Sequence, residues 1–211
     1  MVDEPSTDAP STPGTVRPGG RTARVRTAVL RAAEDALVEH GFGGLDLGEL
    51  AQRAEVGRTT VYRRWGSTTA LVADLLADMA EQSLPRTRSG SLSEDLRANA
   101  RLVRRTLADP RQGALFRAVL VAANGDPGTA EALRHFYRRR VEEWAPCVTE
   151  AVERGELPAD TDPFEVIRAV SAPLYYRMLT TAEPLDEAAA DRAAAAAEAA
   201  ARAGAYRRQA G

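Results

Sequence analysis

Lysine is absent from this chain of 211 residues: all 28 basic residues are arginine, set against 30 Asp and Glu, for a formal net charge of −2. Bulk charge therefore excludes a general polyanion binder, and arginine-only usage beside abundant alanine reflects a GC-rich genome more than a function. The single cysteine, Cys147, forms no intrachain disulfide, and two histidines, His40 and His135, build no metal-ligand spacing. The expectation is a cytoplasmic protein with no metal and no cofactor. No apolar run is long enough to span a bilayer, which excludes a membrane partner. The first twenty residues, MVDEPSTDAPSTPGTVRPGG, carry acids and prolines where a secretory signal needs a basic start and an apolar centre, and they read as a disordered tail. No Gly-rich phosphate loop is present, which disfavours an enzyme. Long β-branched runs are also scarce. With 44% hydrophobic residues, the chain has ample material for an all-α core.

The most informative stretch is Leu45 to Leu71, LDLGELAQRAEVGRTTVYRRWGSTTAL. Asp46 precedes an apolar run and Glu49 stands three residues later, a capping-box arrangement for a short helix. Leu47, Leu50, Ala51 and Ala54 repeat at helical spacing and form its buried stripe. At Glu55-Val56-Gly57, Val56 plugs the space between two helices and Gly57 lets the chain change direction. A second helix starts near Arg58. At about 100° per residue, with Val61 inward, Thr59 and Arg63 point away from the core, flanked by Thr60 and Tyr62. Arg58 leads the element, Arg64 closes it, and Trp65 packs beneath. Arginine bonds guanine edges in a bidentate way, threonine offers a hydroxyl and a methyl, and tyrosine reaches phosphate, so this face suits double-stranded DNA. From Arg21 to Arg64 eight arginines stand against six acids. The excess is small, but Arg21, Arg24, Arg26, Arg58, Arg63 and Arg64 bracket the face. Arg17 and Arg21 of the tail either stay solvated or enter a minor groove.

On LGELAQRAEVG, RTTVYRRW and GSTTALVADLL, residues 21 to 83 resemble the DNA-binding domain of the TetR family of bacterial transcriptional regulators; APLYYRMLTTAEPLDE at 172 to 187 resembles one of its ligand-domain subfamilies. The resemblance implies a TetR-like all-α fold: a helix-turn-helix domain over 21–66 and a larger helical ligand-binding and dimerisation domain over 67–211. It further implies a homodimer built on a four-helix bundle of the eighth and ninth helices. It also implies a small-molecule effector that changes the spacing of two reading heads through the fourth helix. Two recognition helices about 34–36 Å apart then read a near-palindromic operator. Three positions depart from the family pattern. Glu55 replaces a turn glycine, at a cost on the order of 1 kcal/mol if it is left-handed. Gly57 replaces a serine cap. Thr68 replaces a phosphate-contacting lysine and leaves Ser67, Thr68 and helix-end N–H groups to make that contact.

Along the chain, a first helix over Thr22 to His40 buries Val25, Ala28, Val29, Ala32, Ala36 and Leu37, with Gly41 as its stop and Phe42 folded back. A fourth helix over Ser67 to Ser83 places Leu71, Leu75, Leu76 and Met79 between the halves, and Pro85 with TRSGS marks the connection. Ser91 or Ser93 caps the next helix, to Ala108. Asp109-Pro110 opens another with Leu115, Phe116, Val119 and Leu120, ended by Asn124-Gly125. A long helix follows over Pro127 to Arg154. Asp162-Pro163-Glu165 starts one that carries Pro173, where a kink or opening is expected. The last runs from Leu185 to Tyr206. Its Ala-rich stretch favours helix but buries little area, so dimer adhesion is assigned to Phe164, Ile167, Val170, Leu174 and Leu179.

Larger aromatics gather in the middle helices, as simple core or as the walls of a cavity. The candidate ligand-binding residues are Phe116, Leu120, Phe136, Trp144, Tyr176 and Arg177, with Tyr137 and Tyr175 nearby and Asn124, His135 and Thr180 as further polar groups. His40 is a solvated or capping residue. Cys147 is buried and inert, or a redox-sensing thiol. Two functions stay open: a dimeric repressor released from its operator by a small molecule, and a helical small-molecule-binding protein without operator binding.

Overall fold

A computed structural model describes residues 20–82 and 88–208. The tail over 1–19 and the connection at Pro85 lie outside the described residues. Within them the chain forms nine α-helices: α1 (Gly20–His40), α2 (Leu47–Arg53), α3 (Arg58–Trp65), α4 (Thr68–Gln82), α5 (Leu92–Ala108), α6 (Pro110–Ala123), α7 (Pro127–Glu153), α8 (Pro163–Thr180) and α9 (Glu187–Arg202). The all-α expectation holds. The starts are set by side chains: Asp46, Ser91, Asp109, Asp126, Asp162 and Asp186 each accept from backbone N–H groups of the first turn. At α1 the stop is Gly41, at φ 68°.

Helix α2 ends in a Schellman motif, with Val56 N–H donating to the Ala51 carbonyl at 2.9 Å and Glu55 N–H to that of Gln52 at 3.0 Å. The left-handed residue is Glu55, at φ 55°. Gly57 is extended, at φ −64° and ψ 131°, and supplies no side-chain cap to α3. The change of direction therefore falls on a residue with a β-carbon, and Gly57 is not the pivot that its position suggested.

One carboxylate organises the N-terminal helices. Asp74 on α4 accepts from Arg26 of α1, at 2.8 Å from the terminal guanidinium nitrogen, and from the Trp65 indole of α3 at 3.0 Å. Arg26 also pairs with Asp78. Partial burial pushes the Asp74 carboxyl up, but the hydrogen bonds from Arg26 and Trp65 and the charge of Arg26 outweigh it and hold the carboxyl below its ordinary value.

Two further joints tie this unit to the remaining helices. Arg111 at the start of α6 reaches Glu34 of α1 at 3.1 Å and pairs with Asp35. Thr69 of α4 donates at 3.1 Å to Asp126, the residue that caps α7 and also accepts from Thr129. Gly128 lies so close that a β-carbon there would stand 2.4 Å from Cγ2 of Thr69, which sets the approach of α4 to α7.

The C-terminal helices depart from expectation in one respect. Ile167, Val170 and Leu174 of α8 are core residues, while Phe164, Tyr176 and Leu179 are exposed. The reason is periodicity: the first three lie on the stripe of α8 that faces α5, α7 and α9, and that stripe is already covered within one chain. Helix α9 uses its alanines likewise. Ala189, Ala190, Ala193, Ala194, Ala197 and Ala201 are buried, and α9 packs on α5, where Arg101 grips Asp191 through two 2.9 Å bonds. Pro173 and Pro146 lie inside α8 and α7 on exposed faces, and each helix continues across its proline.

Asp74→Asn is expected to cost about 2 kcal/mol by leaving Arg26 half-paired in a partly buried setting. Because the carboxyl is depressed in the fold, its stabilisation is present above the unfolded value of about 3.9 and is lost as pH falls through the lower folded value. Denaturant melts from pH 7 down to about pH 3 should show the wild type losing more stability than the variant below about pH 4.

Candidate nucleic-acid interface and cavity

Helix α3 has eight residues, too few to persist alone, and its position rests on two anchors, Val61 and Trp65, both buried. With that side fixed, Thr59, Tyr62 and Arg63 are exposed, Tyr62 at 49%. Among the described residues Arg63 makes no ion pair, so its guanidinium is available to a base edge. Thr60 is half-buried. Arg58 leans over the first turn of α2: a β-carbon on Gly48 would stand 3.4 Å from its guanidinium carbon. Arg64 lies over the Trp65 ring, 5.2 Å from the ring centroid, a cation–π contact that holds its charge beside α3.

At the start of α4, the Ser67 hydroxyl accepts from the Ala70 N–H at 3.1 Å and the Ser67 carbonyl from that of Leu71. The N–H groups of Thr68 and Thr69 have no intrachain acceptor among the described residues. A helix start with two unpaired N–H groups and a serine O–H free to donate suits a phosphate oxygen. Arg58, Thr59, Thr60, Tyr62, Arg63, Ser67 and Thr68 thus fall on two adjoining segments, the whole of α3 and the N-terminus of α4.

The second feature is a partly open cavity of about 490 Å³ lined by α1, α4, α5, α6, α7 and α8. Phe116, Phe136 and Trp144 line it; Leu120, Tyr176 and Arg177 do not. Tyr176 is 66% exposed, because Tyr175 takes the inward direction on α8 and its neighbour is turned about 100° away. Arg177 instead fixes the α8–α9 loop through Glu183, at 2.7 Å. Asn124 donates to the Leu120 carbonyl, and Thr180 to that of Tyr176. His135 and His40 are exposed, and Cys147 is buried.

The wall is an aromatic chain: Phe116 to Phe136 at 5.5 Å, Phe136 to Tyr137 at 5.3 Å, Tyr137 to Tyr175 at 5.4 Å and Tyr175 to Phe116 at 6.5 Å between centroids. Burial pushes both phenols up, that of Tyr175 to about 12, so both are neutral donors. Arg140 and Asn99 are wall residues that the sequence pattern does not assign to a site, while Tyr137 and Tyr175, expected nearby, line it too. The signal for the first was present, since Phe136, Tyr137, Arg140, Val141 and Trp144 recur at helical spacing on one face of α7. Among the described residues no group of His, Cys, Asp and Glu is placed to hold a metal ion, and no helix is long and apolar enough to cross a membrane.

Residues 29–75 match the family described as bacterial regulatory proteins, tetR family, and residues 86–197 match the tetracyclin repressor-like C-terminal domain. Among curated proteins the chain is 29% identical to the HTH-type transcriptional regulator YdeS of Bacillus subtilis over 161 residues, 76% of this chain and 81% of that one. It is likewise 29% identical over 163 residues, 76% of this chain and 85% of the other, to the DNA-binding transcriptional repressor TetR of Mycobacteroides abscessus. Among solved structures it resembles the flavonoid-responsive regulator FrrA with a TM-score of 0.65 and 25% identity, over 89% of this chain and all of that one.

Thr68→Lys is expected to add a phosphate contact at the start of α4. In a salt series of DNA-binding isotherms the slope of log affinity against log salt should steepen by about one per reading head, with tighter binding at low salt.

Proposed function

The chain belongs to the TetR family of bacterial transcriptional regulators, and we propose that it acts in the cytoplasm as a homodimeric repressor, released from a near-palindromic operator by a small molecule held in the cavity. The observation that carries the DNA reading is the outward set of Thr59, Tyr62 and Arg63 on a helix whose opposite side is pinned by Val61 and by Trp65 to Asp74. A face presented rigidly loses little conformational freedom when it enters a major groove. The relative named as a repressor supports the sign of the regulation, and the one named as flavonoid-responsive supports a flat organic effector.

A dimer fits the exposed faces of α8 and α9. Ala172, Tyr176 and Leu179 on α8, with Ala188, Ala195, Ala196 and Ala199 on α9, remain outside after each helix has covered its core side. Small residues there permit close helix approach, and the exposed Tyr176 and Leu179 supply apolar area. The cavity supports effector control because its wall includes Leu30 of α1 and Leu75 and Met79 of α4, which are parts of the DNA-reading unit and its lever. A ligand shifts the head spacing to the extent that it binds one spacing more tightly than the other.

The test is a gel-shift titration on DNA flanking the protein's own gene, at fixed salt with excess nonspecific competitor. A shift that survives competitor and is weakened at least about tenfold by Arg63→Ala, with an unchanged melting curve, is the expected result. If Arg63→Ala shifts the same fragment equally well, α3 is not the reading element. Tyr176→Glu combined with Leu179→Glu is expected to convert a dimer into a folded monomer in sedimentation velocity, and to lose the operator with it.

A further inference from the structure

Two buried side-chain polar atoms that lack a hydrogen-bond partner among the described residues, Trp144 Nε1 and Asn99 Oδ1, belong to residues that line the cavity, where Tyr137 and Tyr175 share a hydroxyl contact. Trp144 is 2% exposed and Asn99 3%. Buried polar atoms are ordinarily paired, so two unpaired ones in side chains that line one cavity mark a polar demand beside it. The Trp144 indole needs an acceptor and the Asn99 oxygen a donor.

Charge adds the second constraint. Two arginines and two acids line the cavity, but the acids are compensated from outside it: Glu34 by Arg111 and Asp78 by Arg26. Arg140, half-buried on α7, has Glu143 as its carboxylate partner, which is not part of the wall. Arg31 at the exposed edge has no carboxylate partner among the described residues. Burial draws the Arg140 guanidinium below its ordinary value against the pull of Glu143. The cavity thus has at its inner end an arginine paired with Glu143, at its edge an arginine without a carboxylate partner among the described residues, and a ring-lined body.

Resting on the effector reading above, we infer that the cavity takes a flat aromatic acid: a ring against Phe116, Tyr137 and Tyr175, an anionic oxygen on Arg140 and Trp144, and a donor such as an aryl hydroxyl on Asn99. Arg140 and Trp144 are four residues apart on α7, so their β-carbons stand about 5–6 Å apart and one carboxylate can accept from both side chains. A volume of about 490 Å³ lies within the range that holds small organic ligands. Water would satisfy the polar groups but leave the ring faces wet, whereas an aromatic acid satisfies both.

The experiment is calorimetric titration of the full-length protein with hydroxynaphthoate, its methyl ester and decanoate, repeated on Arg140→Gln, Arg140→Lys and Trp144→Phe. We expect the aromatic acid to bind at least about tenfold tighter than its ester, and Arg140→Gln to erase that difference while the ester still binds, which shows that the variant cavity is folded. Arg140→Lys should retain part of the preference, and Trp144→Phe should weaken the acid by about threefold or more. The inference is overturned if ester and acid bind alike, if decanoate matches the naphthoate, if Arg140→Gln leaves the acid unaffected, or if the naphthoate gives no binding up to about millimolar concentration. Operator release is scored separately by gel shift. An acid that binds through Arg140 without releasing DNA upholds this chemistry and removes the effector reading.

Discussion

The carboxylate of Asp74 is the constraint on which the rest of the molecule depends. It accepts from Arg26 on α1 and Trp65 on α3 while sitting on α4, so one side chain makes three helices a single body. Without it, α3 would be eight residues with two hydrophobic anchors, below the length at which a helix persists in water. The helix that must be most rigid for DNA reading is therefore the one whose order is least its own. The charge pair stands at the edge of the core, where partial burial strengthens it without full desolvation.

From that body the coupling to the remaining helices runs through a few discrete contacts. Arg111 joins α6 to α1, and Thr69 with Asp126 joins the start of α4 to the start of α7. Gly128 removes the slack between the last two, since a β-carbon there would collide with Thr69. The cavity lies among these joints, with α1 and α4 on one side of it and α5 to α8 on the other.

Much of the helical organisation was legible in the sequence because its signals are local. Asp46, Asp109 and Asp162 cap the helices they were expected to cap, and Ser91 proves to be the cap where Ser93 was an equal alternative. The inward Val61 and outward Thr59 and Arg63 followed from a 100° step. The departures share a cause. Gly57 was read as the pivot of the turn from glycine's freedom alone, whereas the Schellman hydrogen bonds put the left-handed residue at Glu55. Hydrophobic periodicity puts Ile167, Val170 and Leu174 on a buried face without showing against what, and the clustering of aromatics does not tell Tyr175, which lines the cavity, from Tyr176, which is exposed.

The sequence by itself determined the helices, their caps and stops, and which side of α3 faces outward, since these depend on residues within a few positions of one another. The tertiary structure decided which partner each buried face meets, that Asp74 gathers α1, α3 and α4, and that α9 spends its alanine stripe on α5 of its own chain. It also decided that Asn99 of α5 and Tyr137, Arg140 and Trp144 of α7 converge on one cavity. Convergence of that kind is set by helix crossing and packing over long sequence separations, where no short-range pattern of residues carries the information.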